Sequence, residues 1–151
     1  MNIVLIYPNM GDYRTKDAMT PLAMGILAAL SPGHRVTFYD DRLDIIPDEL
    51  PEADLIAISA ETFTAQRSYQ LADRFRRQGK TVVMGGYHVT FMPDEALQHA
   101  DSVLLGDAEG AWEQMLADCE RNALKPRYRG AHDRPLAGCR IDRTIFEGKR
   151  Y

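Results

Sequence analysis

The stretch TVVMGGYHVTFMPDEALQHADSVLLGDAE, residues 81–109, decides the fold. It begins with an apolar, β-branched run that is typical of a buried parallel strand. Gly85 and Gly86 then let the backbone turn sharply and lie close to a bulky neighbour. Pro93 and the two acids after it predict a helix start, and residues 102–105 predict a second strand. The stretch therefore predicts a β-α-β unit whose loops open on one edge of a sheet, where α/β proteins bind ligands.

Strands and helices alternate through the rest of the chain as well. The other predicted elements are strands at Asn2–Tyr7, 35–39 and Leu55–Ser59, helices beginning at Pro21, ending at Gln78 and spanning 111–121, and a helical turn at 47–50. In the helix that ends at Gln78, we expect Phe63, Leu71, Ala72 and Phe75 to face inward. Five strands alternating with helices predict a doubly wound three-layer α/β sandwich, flavodoxin-like or Rossmann-like. Right-handed crossovers favour a five-stranded parallel sheet of order 2-1-3-4-5. Arg127–Arg129 could add an edge strand.

The periodic signal ends near Gly130. Residues 131–151 carry turn residues and many charges but no sustained period. We therefore expect one α/β domain over residues 1–130, followed by a linker or the lead-in to a second domain over residues 131–151.

Composition excludes several classes of protein. The chain has 151 residues, 45% of them apolar, and a formal net charge of −4, so it offers no broad basic surface for nucleic acid. We expect no membrane span and a cytoplasmic location, because no apolar run is long enough and the first residues lack a signal-peptide pattern. Cys119 and Cys139 cannot hold zinc or an iron–sulfur cluster alone. We assign no catalytic residue and no metal ligand.

Common nucleotide and signalling sites are also missing. No G-x-G-x-x-G follows the first strand, and no G-x-x-x-x-G-K-[ST] exists in the chain. A phosphorylated receiver domain would need acids after strand one and an aspartate at the end of strand three, where Tyr7-Pro8 and Ser59 stand. A flavodoxin would need a hydroxyl-rich loop after strand one, and residues 8–12 are poor in hydroxyl groups.

The candidate cofactor-binding residues share one property, because each directly follows a predicted strand. They are Pro8, Asn9, Met10, Ser59, Ala60, Glu61, Thr62, Gly85, Gly86, Tyr87, His88, Gly106, Asp107 and Glu109. In the predicted strand order the switch point lies between strands one and three. The loops at Pro8 and Ser59 flank that point, which suits an extended ligand inserted across the carboxyl edge.

Several segments together resemble a known family. Its members show a Gly-Gly-x-His turn, a later Pro, an Ala-Asp strand start and a Gly-(Glu/Asp)-x-Glu turn. Here these are Gly85, Gly86 and His88, then Pro93, Ala100-Asp101 and Gly106-Asp107-Ala108-Glu109, with a helix start at residues 20–25 and a strand end at residues 58–60. The first 130 residues thus resemble the N-terminal cobalamin (B12)-binding domain of B12-dependent radical S-adenosylmethionine (SAM) enzymes.

The resemblance implies a cofactor, a partner and roles for residues. The domain would bind cobalamin, and a C-terminal radical SAM domain in the same polypeptide would hold SAM and a [4Fe–4S] cluster for methyl transfer or related radical chemistry. The Cys-x-x-x-Cys-x-x-Cys motif of that domain does not occur in this chain. Gly85 and Gly86 would approach the nucleotide tail of cobalamin, or form only a tight turn. Ser59 would bond the base or phosphate of the tail, or only cap the next helix.

His88, Asp107 and Glu109 each allow two interpretations. His88 would contact cobalt or the corrin ring, or only orient its loop through hydrogen bonds. Asp107 and Glu109 would bind a partner domain or a substrate cation, or only favour a helix start.

One departure from the family keeps other functions open. Better-known cobalamin domains carry Asp-x-His-x-x-Gly after strand one, but residues 8–20 contain no histidine. We therefore expect any cobalt bound here to lack a histidine ligand from that loop. The alternatives are a degenerate docking or substrate-selecting module without a cofactor, and a flavin or nucleotide binder on the same fold.

Overall fold

A six-stranded parallel sheet forms the centre of the computed structural model, which describes residues 1–15, 18–130 and 139–151. The strands are β1 (Asn2–Tyr7), β2 (Arg35–Asp40), β3 (Leu55–Ser59), β4 (Thr81–Gly85), β5 (Ser102–Leu105) and β6 (Arg127–Arg129). They lie in the order β2-β1-β3-β4-β5-β6, and every neighbouring pair is parallel. The α/β class and the order 2-1-3-4-5 are confirmed. The count of five strands is wrong, because β6 adds a sixth at the edge.

One buried tyrosine explains the sixth strand. Tyr128 is 5% exposed, whereas Arg127 and Arg129 on either side of it are exposed. The Tyr128 hydroxyl donates to Asp118 over 2.8 Å, and the residue pairs with Leu104 of β5. Three residues with one apolar member carry little periodic signal, so only the tertiary contact fixes this strand.

Helices cover both faces of the sheet. They are α1 (Leu22–Ala29), α2 (Ala65–Arg77), α3 (Tyr87–Phe91), α4 (Pro93–Ala96) and α5 (Ala111–Glu120). Residues of α1 and α5, such as Met24 and Trp112, pack on one face, and residues of α2 to α4, such as Phe75 and Val89, pack on the other. The crossover after β1 therefore runs on the opposite face from the crossover after β3, which places the switch point between these two strands.

Two local predictions are corrected, and a third is confirmed with an addition. Residues 47–50 form no helical turn; turns lie on either side of them, at residues 41–43, where two following amides donate to Asp40 O, and at residues 51–52. Phe63 was expected inward but is 62% exposed, because Thr62–Thr64 form a 3-10 turn and α2 begins only at Ala65. The helix at Pro93 is confirmed, but α3 precedes it and begins directly after Gly86.

The last described segment packs against the domain. Residues 139–151 run across α1 and β2 and include a 3-10 turn at Thr144–Phe146. The first part of the predicted linker, residues 131–138, lies outside the described residues. Among the helices that the structure describes, none has the length and apolar character to cross a membrane.

Candidate functional site

The carboxyl edge of the sheet brings together the predicted loops. The loop after β1 and the loop after β3 flank the switch point, and β4 lies next to β3, with Ser59 opposite Gly85. The loop after β5 follows β4's loop along the same edge. All fourteen candidate residues therefore lie at one edge of the sheet, as expected for a doubly wound fold.

The loops after β3 and β4 are bonded to each other through their backbones. Ala60 N donates to Gly85 O over 2.8 Å, and His88 N donates to Ala60 O over 3.1 Å. Gly86 lies between these bonds with φ +99°, and a Cβ there would stand 2.7 Å from Ala60 O. Gly86 is thus needed for loop packing itself, because only glycine combines this φ with so close an approach.

Thr90 connects the third loop to the first two. Its Oγ1 donates to Gly86 O and accepts from Gly106 N, each over 3.0 Å. Sequence reasoning missed Thr90, because the helix that carries it, α3, was not predicted. Four residues after Gly86, its hydroxyl can bond back to the start of its own helix.

His88 lies beneath its loop, between helices on one face of the sheet. It is 8% exposed, and its Nε2 lies 3.0 Å from the Tyr69 hydroxyl and 3.5 Å from Glu95 Oε1. Burial, followed by the hydrogen bond to Glu95, raises the pKa of Tyr69, so its hydroxyl stays protonated. These contacts hold the imidazole between α2 and α4, away from the open surface of the edge.

Two polar side chains at the switch point keep bonding capacity for a ligand. Within the described residues, Ser59 Oγ has no hydrogen-bond partner and the Glu61 carboxylate has no ion-pair partner. Burial raises the pKa of Glu61. Burial, followed by the charge of Glu61, raises the pKa of Tyr7 at the end of β1.

Exposed apolar side chains surround the same edge. Among the described residues, eight of the ten large apolar side chains that are most exposed lie in the connections after β1, β3 and β4 or at the helix start that follows. We call these eight the apolar rim: Met10, Tyr13, Met19, Leu22, Phe63, Tyr87, Phe91 and Met92. Apolar surface concentrated in this way marks a binding surface and not random exposure.

The loop after β1 is fixed by a buried aspartate, Asp41, which directly follows β2. Asp41 is fully buried and accepts Asn9 N over 3.1 Å. Arg67 of α2 binds the same carboxylate through two bonds of 3.0 and 3.1 Å, and Asn9 Oδ1 accepts Met10 N over 2.8 Å. The sequence could not pair Asp41 with Arg67, because they lie 26 positions apart.

The acids after β5 occupy different surroundings. Asp107 is exposed, and its carbonyl packs against Gly130. Glu109 is half-buried, with Oε1 3.6 Å from Cys139 Sγ, and the next helix is capped instead by Glu113, which accepts Gly110 N over 2.8 Å. Neither Asp107 nor Glu109 therefore makes a hydrogen bond, within the described structure, that supports its interpretation as a helix-start residue.

Among the described residues, neither a metal-binding group nor a surface cavity offers a second candidate site. No group of three or more His, Cys, Asp or Glu side chains capable of holding a metal exists among the residues that the structure describes. Two surface cavities lie at the opposite, amino edge of the sheet; Arg76, Lys80 and Asp101 line one, and Met1 and Cys119 line the other. Neither cavity is formed by the loops of the candidate site.

Comparison with known proteins identifies the family. Residues 16–116 match the family described as the B12 binding domain. The chain belongs to the B12-binding domain family. The match covers α1 to most of α5 and includes the loops after β3, β4 and β5.

Two curated relatives of this B12-binding domain are methyltransferases of Chlorobaculum tepidum. Bacteriochlorophyllide d C-8(2)-methyltransferase is 37% identical over 120 residues, which are 79% of this chain and 27% of that protein. Bacteriochlorophyllide d C-12(1)-methyltransferase is 36% identical over 118 residues, which are 77% of this chain and 26% of that protein. The chain thus spans about a quarter of the length of the relatives it matches.

A solved structure also matches part of the B12-binding domain. It is the N-terminal domain of a hypothetical protein from Thermotoga maritima, with a TM-score of 0.45 and 26% sequence identity. The match covers 58% of this chain and 78% of the other.

Proposed function

We propose that this B12-binding domain holds cobalamin at the carboxyl edge and supplies it to a radical SAM methyltransferase. The observation that carries the proposal is the family match combined with an open, apolar edge at the switch point. When bound, cobalamin supplies a cobalt-centred carrier for a methyl group, and the protein contributes binding and orientation.

The residues at the edge fit the chemistry of cobalamin. The corrin is a broad ring with an apolar face, and side chains of the apolar rim such as Met10 and Tyr87 offer it exposed contact area. Amide groups on the corrin periphery can donate to the Glu61 carboxylate. The phosphate or base of the nucleotide tail can accept from or donate to Ser59 Oγ. Among the described residues, Ser59 Oγ has no hydrogen-bond partner and the Glu61 carboxylate has no ion-pair partner, so both keep bonding capacity for a ligand.

The methyltransferase part of the proposal comes from the relatives. Both act as methyltransferases by name, and in each the matched region is about a quarter of the protein. We propose that a C-terminal domain in the same polypeptide holds SAM and a [4Fe–4S] cluster and that residues 131–151 lead into it. A cytoplasmic location is part of the same proposal.

Similarity to these two relatives does not assign a methylation position to this chain. The two relatives are 37% and 36% identical to this chain, yet their names place the methyl group at different carbons of bacteriochlorophyllide d. We therefore propose that this domain supplies the cofactor and that residues outside it select the carbon that is methylated.

Titration with hydroxocobalamin tests cofactor binding. We expect saturable changes in visible absorbance with the parent chain, and binding weakened several-fold by Ser59→Ala and by Glu61→Gln. Glu52→Gln is the matched control, because Glu52 is exposed and precedes β3 at the amino edge. A chain that causes no change in cobalamin absorbance but binds another protein would favour the docking module. A chain that binds flavin would favour the flavin or nucleotide binder.

A separate experiment tests the radical SAM partner. We expect the polypeptide after Tyr151 to carry Cys-x-x-x-Cys-x-x-Cys and the full protein to show iron–sulfur absorbance after reconstitution with iron and sulfide. A full protein that binds cobalamin yet has neither the motif nor the cluster would refute the radical SAM part alone.

A further inference from the structure

The segment at residues 139–151, here called the strap, crosses α1 at a glycine. Asp142 N donates to Gly25 O over 2.9 Å. A Cβ at position 25 would stand 2.6 Å from Ile141 Cγ2 and 3.0 Å from Asp142 O. Glycine inside a helix costs about 1 kcal/mol relative to alanine, so its place under the strap indicates that close crossing is its role.

Aromatic and charged contacts continue the strap along β2. Phe146 packs edge-to-face on Phe38, with ring centroids 5.7 Å apart, and in the same way on Tyr151, at 5.8 Å. Lys149 pairs with Asp44, and its Nζ lies 5.1 Å from the centre of the Phe38 ring. Contacts of several kinds thus dock the strap from α1 to the carboxyl end of β2, and the Phe146–Tyr151 contact lies within the strap itself.

The strap ends on a buried carboxylate at the candidate site. Asp40, at the end of β2, is fully buried, and its Oδ2 accepts the Tyr151 hydroxyl over 3.1 Å. Burial, followed by the charge of Asp40, raises the pKa of Tyr151, so the hydroxyl stays protonated and donates.

The same carboxylate holds the loop after β1. Arg42 donates to Asp40 through Nε over 2.9 Å and Nη2 over 2.7 Å. Arg42 Nη2 also donates to Met19 O over 2.7 Å, and Arg42 O accepts Thr15 N over 2.9 Å. The guanidinium lies 4.6 Å from the centre of the Tyr7 ring at the end of β1. Asp40 and Arg42 therefore connect the strap to a loop that carries three members of the apolar rim, Met10, Tyr13 and Met19.

We propose that docking of the strap orders the loop after β1, so that the strap is a positioning element of the cofactor edge. Tyr151 shields the Asp40–Arg42 pair from water, and a shielded ion pair is stronger than one in contact with solvent. When the strap leaves, water reaches the pair, and the hydrogen bonds from Arg42 Nη2 to Met19 O and from Thr15 N to Arg42 O weaken. The coupling to cobalamin rests on the proposed function, but the coupling to the loop does not.

Hydrogen exchange measured residue by residue, without cobalamin, tests the coupling. Phe146→Ala removes the central contact of the strap, and Tyr151→Ala removes the cover over Asp40. We expect Phe146→Ala to speed exchange at least five-fold at the Asp142 amide, which reports the strap, and at the Thr15 amide, which reports the loop. Tyr151→Ala should speed exchange at Thr15 several-fold, and the Val83 amide in the core should be unaffected by both.

Ile45→Ala is the matched control, because Ile45 is a strongly exposed apolar residue that follows β2. It should change exchange at neither site. Fast exchange at Asp142 with unchanged exchange at Thr15 would overturn the proposal, as would an unprotected Asp142 amide in the parent chain. If Phe146→Ala unfolds the domain, exchange at Val83 will show it, and Tyr151→Ala then decides.

A cobalamin titration of the same variants separates the two proposals. We expect the Kd for hydroxocobalamin to rise about three- to ten-fold in Phe146→Ala and Tyr151→Ala but not in Ile45→Ala. A parent chain that does not bind cobalamin would refute the proposed function while the exchange result still decides the coupling. Variants that loosen the loop but bind cobalamin like the parent would overturn the role of the strap in cofactor binding.

Discussion

Gly86 and Ala60 approach so closely that their two loops behave as one unit. A Cβ at position 86 would stand 2.7 Å from Ala60 O and 3.0 Å from Ala60 N, and φ at Gly86 is +99°. His88 N donates to Ala60 O on the other side of the glycine. Backbone packing between the loops after β3 and β4 thus explains why residue 86 is glycine, without any contribution from a ligand.

Gly86→Val should therefore destabilise the domain strongly. Positive φ and overpacking against a backbone each cost about 1–3 kcal/mol, so we expect a loss of roughly 2–6 kcal/mol in urea unfolding. Gly85→Ala is the matched control, because a Cβ there meets Leu104 O at an ordinary 3.5 Å, and it should cost less than about 1 kcal/mol. Equal effects of the two substitutions would contradict the packing argument.

Gly130→Ala should disrupt the loop after β5. A Cβ at Gly130 would lie 1.6 Å from Asp107 O, so the backbone must move, and Gly130 N would lose its 3.0 Å bond to Leu105 O. We expect a loss of about 3 kcal/mol or more by thermal unfolding. Gly11→Ala is the control, since its Cβ would meet only the side chain of Tyr13 at 3.3 Å, and that side chain is exposed and can move. A Tm for Gly130→Ala within one degree of the parent would rule out this close contact.

The ion pair between Arg67 and Asp41 gives a test of how the loop after β1 is held. Arg67→Met removes two hydrogen bonds to a fully buried carboxylate and leaves only Arg14, 3.7 Å away, as its cation, so we expect a loss of roughly 3 kcal/mol. Asp41→Asn in the same background should restore part of the stability, because the charge is then gone while Asn9 N keeps an acceptor. The measurement is a double-mutant cycle by urea unfolding, and additive losses would show that the pair is not coupled.

Asp118 gives a pH-dependent prediction. The Tyr128 hydroxyl, followed by Arg121, lowers the pKa of Asp118 in the folded chain below its ordinary value. A lowered pKa contributes stability above the unfolded value, near 3.9, and that contribution is lost as pH falls through the folded value. Tyr128→Phe should therefore lower Tm at pH 7 by more than at pH 3. A difference in Tm that stays constant between pH 7 and pH 3 would count against this interaction.

Much of the fold could be predicted because its strands are buried on both faces. β1, β3, β4 and β5 are nearly continuous apolar runs, and the order of strands follows from right-handed crossovers. β6 could not be predicted in the same way, because its place depends on the bond from Tyr128 to Asp118. The prediction that Phe63 faces inward was wrong, because a 3-10 turn that local propensity does not reveal precedes α2.

The candidate site was predictable in place but not in detail. Strand ends are visible in the sequence, and the carboxyl ends of parallel strands must meet at one edge. The contacts that fix the loops join residues far apart in the chain, such as Arg67 with Asp41 or Tyr151 with Asp40, and no local pattern encodes them. For the same reason the sequence left the role of His88 open, since the Tyr69 hydroxyl that binds it lies 19 positions away.

The last prediction concerns the axial ligand of cobalt. Residues 8–20 contain no histidine, and the three histidines in the described residues are held elsewhere. His88 contacts Tyr69 and Glu95, His99 stacks on Tyr69 and bonds Asp73, and His34 lies beside Met1 at the amino edge. Moving His88 to the cobalt would break its bond to Tyr69 and expose a buried pair, a cost of about 1–3 kcal/mol.

We expect cobalt(II) cobalamin bound to this chain to be base-off in electron paramagnetic resonance, without hyperfine coupling to a protein nitrogen, and His88→Gln to leave the spectrum unchanged. Nitrogen coupling in the parent that disappears in His88→Gln would show that the loop after β4 rearranges to ligate the metal.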